Sequence, residues 1–155
     1  MSGRRVYGRI LLVALAAMLV TIPYLAEPEL PFKSTLKKRV SQFYAAYINH
    51  NWPALYELIA PFVRRCESVE DFRRGWTKDS DLTILSWRLV SITSDSEFVG
   101  QDFKVDCSGK TYRVEAGASV VTSQLDQQGQ EKPERGDAHF TWVLIDGVWF
   151  AMGPE

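Results

Sequence analysis

The chain has 155 residues, 46% of them hydrophobic and 24% charged, with a formal net charge of −1. Apart from the first ten residues and the short cluster Lys37-Lys38-Arg39 it holds no extended basic run, which excludes binding driven by phosphate neutralisation; no nucleic-acid partner is expected. Cys66 and Cys107 are far apart in the chain, and His50 and His139 stand alone. There is no C-x-x-C or H-x-x-x-H spacing, Gly-rich phosphate loop or Ser-His-Asp order, so no metal, cofactor or catalytic set is assigned.

Arg4, Arg5 and Arg9 precede an apolar run from Ile10 to Ile22, closed by Pro23. Basic residues before an apolar core mark a secretory or membrane-insertion signal, and the basic flank stays cytoplasmic. Val6–Ala26 spans 21 residues, close to the roughly 20 a helix needs to cross a bilayer. A cleavage site would be small-x-small, and Tyr24 before Leu25-Ala26 is too large. A retained signal-anchor over residues 1–26 is therefore favoured over a cleaved signal. Tyr7 and Tyr24 would sit at the two interfaces, with the N-terminus cytoplasmic and the rest periplasmic to a bacterial inner membrane. Residues 27–33, with Pro28 and Pro31, form a linker. Residues 34–155 are enough for one domain with its own core.

An oxidising compartment permits a disulfide between Cys66 and Cys107, two separate buried thiols being the alternative. Lys37-Lys38-Arg39 reads as a solvated helix face, or as a contact with anionic lipid near the anchor.

Three helices come first. Ser34 is placed to cap a helix whose Leu36, Val40, Phe43, Tyr44, Tyr47 and Ile48 fall on one stripe. Asn49-His50-Asn51 stops it. Asn51 caps the second helix, with Pro53 in its first turn, Leu55, Leu58, Ile59 and Phe62 along it, and Pro61 late in it. Ser68 with Asp71 resembles a capping box opening a short third helix through Phe72 to about Gly75. The second half reads as strands. Leu82–Thr93 comes first, with Leu82, Ile84, Val90 and Ile92 on one face. Glu97–Asp106 is weaker and interrupted by Gly100. Thr111–Leu125 is long, and its small residues Ala116–Ser119 allow a bend or a close approach. Residues 127–136 read as an exposed loop. His139–Ile145 and Val148–Met152 are joined by the hairpin signal Asp146-Gly147. The order predicts an α+β protein: an N-terminal transmembrane helix, then three helices packed on a curved, cone-shaped antiparallel sheet.

Phe43-Tyr44-Ala-Ala-Tyr47, Asn51-Trp52-Pro-Ala-Leu55-Tyr56, Glu70-Asp71-Phe72 and Trp142–Phe150 resemble the nuclear transport factor 2-like superfamily (also described as cystatin-like or SnoaL-like). The resemblance implies a cone-shaped interior. That superfamily holds isomerases, dehydratases, ligand carriers and non-catalytic assembly domains, so it leaves function open.

Enzymes with that interior work from it with an Asp base and Tyr or Asp oxyanion donors. Asp102, Asp106, Glu115, His139, Tyr44, Tyr47 and Tyr56 are the residue types available. None maps onto a family active site. Tyr47, Tyr56, Trp87, His139 and Trp142 are the candidates for a pocket or an interface; His139 alternates with Thr141, Val143 and Ile145, opposite Phe140, Trp142 and Leu144.

Two functions follow. The first is a membrane-anchored, non-catalytic accessory or assembly subunit of an envelope complex, held by residues 6–26 and contacting protein subunits through its outer domain. The second is an extracytoplasmic small-molecule binding protein, or a lyase or isomerase using the interior. An interior filled by Phe43, Tyr47, Trp87 and Trp142 favours the first; an open one with convergent polar groups favours the second.

Overall fold

The computed structural model describes residues 32–64, 66–77 and 82–154. Among these residues, four helices precede six strands: α1 Lys33–Ile48, α2 Trp52–Leu58, α3 Pro61–Arg64, α4 Val69–Thr77, β1 Leu82–Ser94, β2 Asp102–Val105, β3 Lys110–Arg113, β4 Ala116–Gln128, β5 Glu134–Ile145 and β6 Val148–Pro154. The main sheet is antiparallel in the order β1-β4-β5-β6, and β2 and β3 form a separate hairpin.

The fold expectation needs correcting in its helices. The fold is α+β with four described helices rather than three, and among the described residues no helix is long and apolar enough to cross a membrane. The expected transmembrane helix, residues 1–26, and most of the linker lie outside the described residues.

The helix count changes at Pro61. Ile59 is extended (φ −85°, ψ 142°) and itself bridges β6 in parallel at Ala151. A proline disfavours helical geometry in the residue before it and suits the first turn of a new helix, so one expected helix becomes α2 and α3. The Ala60 N–H, freed from helical pairing, donates to Ala151 O at 2.8 Å.

On α1, Leu36, Val40, Phe43 and Tyr44 are buried at helical spacing, whereas Tyr47 is half-buried and Ile48 exposed. The cap lies at Phe32, in left-handed geometry, with no side-chain capping bond; Ser34 is inside the first turn. Arg39 does not lie on a solvated face. Its Nε donates to Trp149 O at 3.0 Å and its guanidinium covers the Phe150 ring, fastening α1 to β6. The local signals for the other helix starts are realised: Asn51 Oδ1 accepts from Ala54 N at 3.2 Å, and Ser68 Oγ accepts from Asp71 N at 3.1 Å.

β1 pairs with β4 through two register shifts, between Ile84 and Ser86 and between Leu89 and Ser91. Each inserts one extra residue and reverses which side chains face inward. Ile84 is therefore buried, Trp87, Leu89 and Ile92 pack on the core, and the inserted Leu85 and Val90 are 46% and 53% exposed. The expectation of one continuous inward face including Val90 is corrected.

The expected strand Thr111–Leu125 divides at Val114-Glu115. β3 turns back onto β2, while the Glu115 N–H donates to Leu144 O and leads into β4. The expected loop 127–136 shrinks, since β4 and β5 stay paired out to Asp126 and Glu134. An antiparallel ribbon can keep polar residues on a solvated face.

Gly117 allows the close approach its neighbourhood suggested. Its carbonyl accepts from Asp95 N at 2.9 Å, and a Cβ built on it would collide with the Asp95 carbonyl oxygen. Gly117→Ala is expected to cost about 1–3 kcal/mol through backbone displacement. Chemical denaturation measures this, and a loss within error of zero would refute the steric reading.

The core has two parts. One lies between the helices and the inner sheet face, built around Phe43, Tyr44, Leu55, Trp142, Leu144 and Trp149. The other lies on the opposite face, where Ala60, Val114, Val143 and Ile145 are covered by α3 and the β2–β3 hairpin, with Phe62 stacked on Phe103 at 4.0 Å. Both faces of β5 are therefore buried near Asp146-Gly147. Both residues of that turn have positive φ (50° and 73°), as a two-residue hairpin matching strand twist requires. Cys66, just after α3, is bonded to Cys107 in the β2–β3 turn with a Cα–Cα distance of 6.0 Å, tying these outer elements together.

Candidate functional site

The inner face of β4 carries Ala118, Val120, Thr122, Gln124 and Asp126 at the two-residue period of a strand. It begins apolar and ends acidic. The apolar end is sealed by α1 and Trp142. The polar end opens into a cavity of about 680 Å³ between α1, α4 and the sheet. This is within the roughly 300–1,000 Å³ of small-molecule sites.

Its walls are largely aromatic: Phe43, Tyr44 and Tyr47 from α1, Phe72 and Trp76 from α4, and Phe140 from β5. The rings brace one another. Phe43 lies edge-on to Phe140 at 5.3 Å and to Trp76 at 6.1 Å, Tyr47 lies edge-on to Trp76 at 5.8 Å, and Trp87 stacks behind Tyr44 at 4.3 Å. Such pairs hold a preformed wall rather than one assembled around a ligand.

The polar groups converge at one end. The Tyr44 hydroxyl lies 2.5 Å from Thr122 Oγ1, and Gln124 Nε2 donates to the same hydroxyl at 2.5 Å. With its oxygen accepting from Gln124, Tyr44 has its proton to give to Thr122. Burial raises the Tyr44 pKa, and the nearby Asp126 charge pushes the same way, so the hydroxyl stays a neutral donor. Asp126 is different. Its Oδ1 is buried and accepts no hydrogen bond among the described residues, and burial raises its pKa above the ordinary carboxylate value.

A raised acid pKa means that the folded state favours the protonated form. Asp126 therefore contributes stability that is present below its unfolded pKa of about 3.9 and lost as pH rises through its folded value. Asp126→Asn is expected to be more stable than the native chain at neutral pH, because the amide carries no charge to desolvate. The difference should shrink on acidification below about pH 4. Denaturation midpoints at the two pH values measure this, and a destabilised variant at neutral pH would refute it.

The sequence-derived candidates distribute unevenly. Tyr47 lines the cavity. Trp87 supports it from behind Tyr44, and Trp142, 1% exposed, lies beneath Phe43. The Tyr56 hydroxyl donates to Glu67 O at 2.7 Å and its ring meets Phe72 edge-on, so it braces the α4 side. His139 is exposed on the outer face of β5 and is not in the site. Asp102 pairs with Arg113 at 3.2 Å across the hairpin, Asp106 is exposed in its turn, and Glu115 accepts from Gly147 N at 3.3 Å. No group of three His, Cys, Asp or Glu among the described residues could hold a metal.

Gln124 and Asp126 were missed as site residues. The available signal was the strand's own alternation, which continues Ala118 and Val120 inward through three polar residues.

No protein family and no curated protein matches the chain. A solved structure does: the solution structure of a SEC-C motif-containing protein from Rhodopseudomonas palustris. It is 16% identical, with a TM-score of 0.53 over 79% of this chain and 78% of that one. This corrects the resemblance to the nuclear transport factor 2-like superfamily, which the comparisons do not return. The residues behind that resemblance perform packing and turn roles that many helix-on-sheet proteins share: Phe43 and Tyr47 pack between helix and sheet, and Asp146-Gly147 is a hairpin turn. At this identity the likeness is one of fold alone, between this chain and a SEC-C motif-containing protein.

Proposed function

We propose that this domain is an extracytoplasmic binding protein for a small, largely apolar molecule held in the cavity by one or two polar contacts. The carrying observation is that Phe43, Trp87 and Trp142 do not fill the interior: about 680 Å³ remains open, with Tyr44, Gln124 and Asp126 at its polar end. This is the feature that favours a binding role over an assembly role. The bond between the exposed residues Cys66 and Cys107 supports an oxidising compartment, because thiols in the cytosol are kept reduced. The groups present orient and bind. No nucleophile with a paired base lies among the lining residues.

The test is titration of the purified full chain with the neutral fluorophore N-phenylnaphthylamine, against Ala138→Trp. Ala138 lines the cavity on β5, and a Trp there occupies ligand volume. Saturable binding by the native chain, weakened at least about tenfold in the variant (about 1.4 kcal/mol), is the expected result. Equal binding by both, or none by either, would remove the cavity from the function.

A further inference from the structure

Three charged residues line the cavity: Asp126, Glu67 and Arg64. Arg64 is engaged elsewhere. Its Nη1 lies 3.1 Å from Glu57 Oε1, and its guanidinium sits 4.5 Å from the centre of the Tyr56 ring. Among the described residues neither Asp126 nor Glu67 has an ion-pair partner. The unpaired charge of the cavity is therefore negative, and aromatic rings line the same cavity.

Aromatic faces attract cations through the ring quadrupole, and the attraction strengthens when the cation is desolvated. A buried carboxylate oxygen lacking a donor is satisfied by an N⁺–H, and a charge-assisted bond of that kind is stronger than a neutral one. A carboxylate ligand meets the opposite situation, since Asp126 and Glu67 repel it and Arg64 is held by Glu57 and the Tyr56 ring. A neutral ligand would fill the apolar volume and leave the Asp126 charge without a counter-charge.

From this arrangement we propose that the cavity selects an organic cation: an arylalkyl or alkyl amine whose ammonium lies against Asp126 while its apolar body packs on Phe43, Trp76 and Phe140. The proposal rests on the cavity being a binding site and names the class of ligand it takes. The Tyr44–Thr122–Gln124 group occupies the adjoining wall and keeps water-seeking groups of the protein paired while the ammonium is held.

Calorimetric titration of the full chain with phenethylamine, phenylethanol and phenylpropionate tests it, because the three share a body and differ in the charge of the head. The amine is expected to bind at least about tenfold more tightly than the alcohol, with the acid weakest. Asp126→Asn should weaken the amine at least about tenfold and weaken phenylethanol much less, so that the preference for the amine over the alcohol is lost. Amine binding no tighter than alcohol binding, or untouched by Asp126→Asn, overturns the proposal. Preference for the acid overturns it and points to Arg64 as the anchor. If the fluorophore binds and none of the three small compounds does, the cation proposal falls and the cavity reading stands. If the fluorophore fails too, the cavity reading falls with it.

Discussion

Phe43→Ala is expected to lower the stability of the domain by about 3–5 kcal/mol. Phe43 is 2% exposed and sits at the centre of the ring cluster, with Tyr44, Tyr47, Trp76, Phe140 and Trp142 all within 6.5 Å between ring centres. Truncation loses the transfer free energy of a benzyl group and leaves a void that its neighbours cannot easily collapse into, Tyr44, Tyr47, Trp76 and Phe140 each being braced by a second ring. The same substitution enlarges the cavity beside it and removes a wall that holds Trp76 in place. Urea denaturation with an unchanged slope measures the loss. A change below about 1 kcal/mol would mean that the cluster relaxes freely and that the cavity wall is not preformed.

Removing the disulfide with Cys66→Ser and Cys107→Ser together is expected to cost about 3–4 kcal/mol. The bonded residues are 41 apart, and a cross-link over that span takes much of its effect from restricting the unfolded chain. Both cysteines are exposed, so the serines open no cavity and strand no buried polar group. What is lost in the folded state is the tie between the end of α3 and the β2–β3 turn. The Phe62–Phe103 stack and the cover over Val143 and Ile145 then depend on packing alone. Thermal melting of the double variant against the native chain reads the loss, and reductant should reproduce it in the native chain. Equal melting temperatures would show that the outer layer holds without the bond.

Much of this architecture could be read directly. The Leu36–Val40–Phe43–Tyr44 stripe marks a helix because residues three and four apart share one face. Asn51, Ser68 and Asp146-Gly147 mark boundaries because their side chains or their tolerance of positive φ act within three residues. Pro61 was misjudged within the same local logic: treated as a late member of a helix, it opens a new one. The resemblance to a known superfamily failed for a related reason. Aromatic stripes and Asp-Gly turns answer to packing requirements common to many folds.

The sequence by itself determined the element types, the order of helices before strands, and the aromatic character of the helix face that meets the sheet. These depend on periodicity and turn chemistry, which operate over a few residues. The tertiary structure decided which face of β1 points inward, because the inserted Leu85 and Val90 each reverse the alternation only once pairing with β4 is set. It also decided that Tyr44 meets Gln124, 80 residues away, and that the inward polar end of β4 faces open volume rather than solvent or a filled core. A two-residue period tells which side chains share a face. What that face meets depends on where α1 and α4 come to rest against the sheet, and no local pattern carries that information.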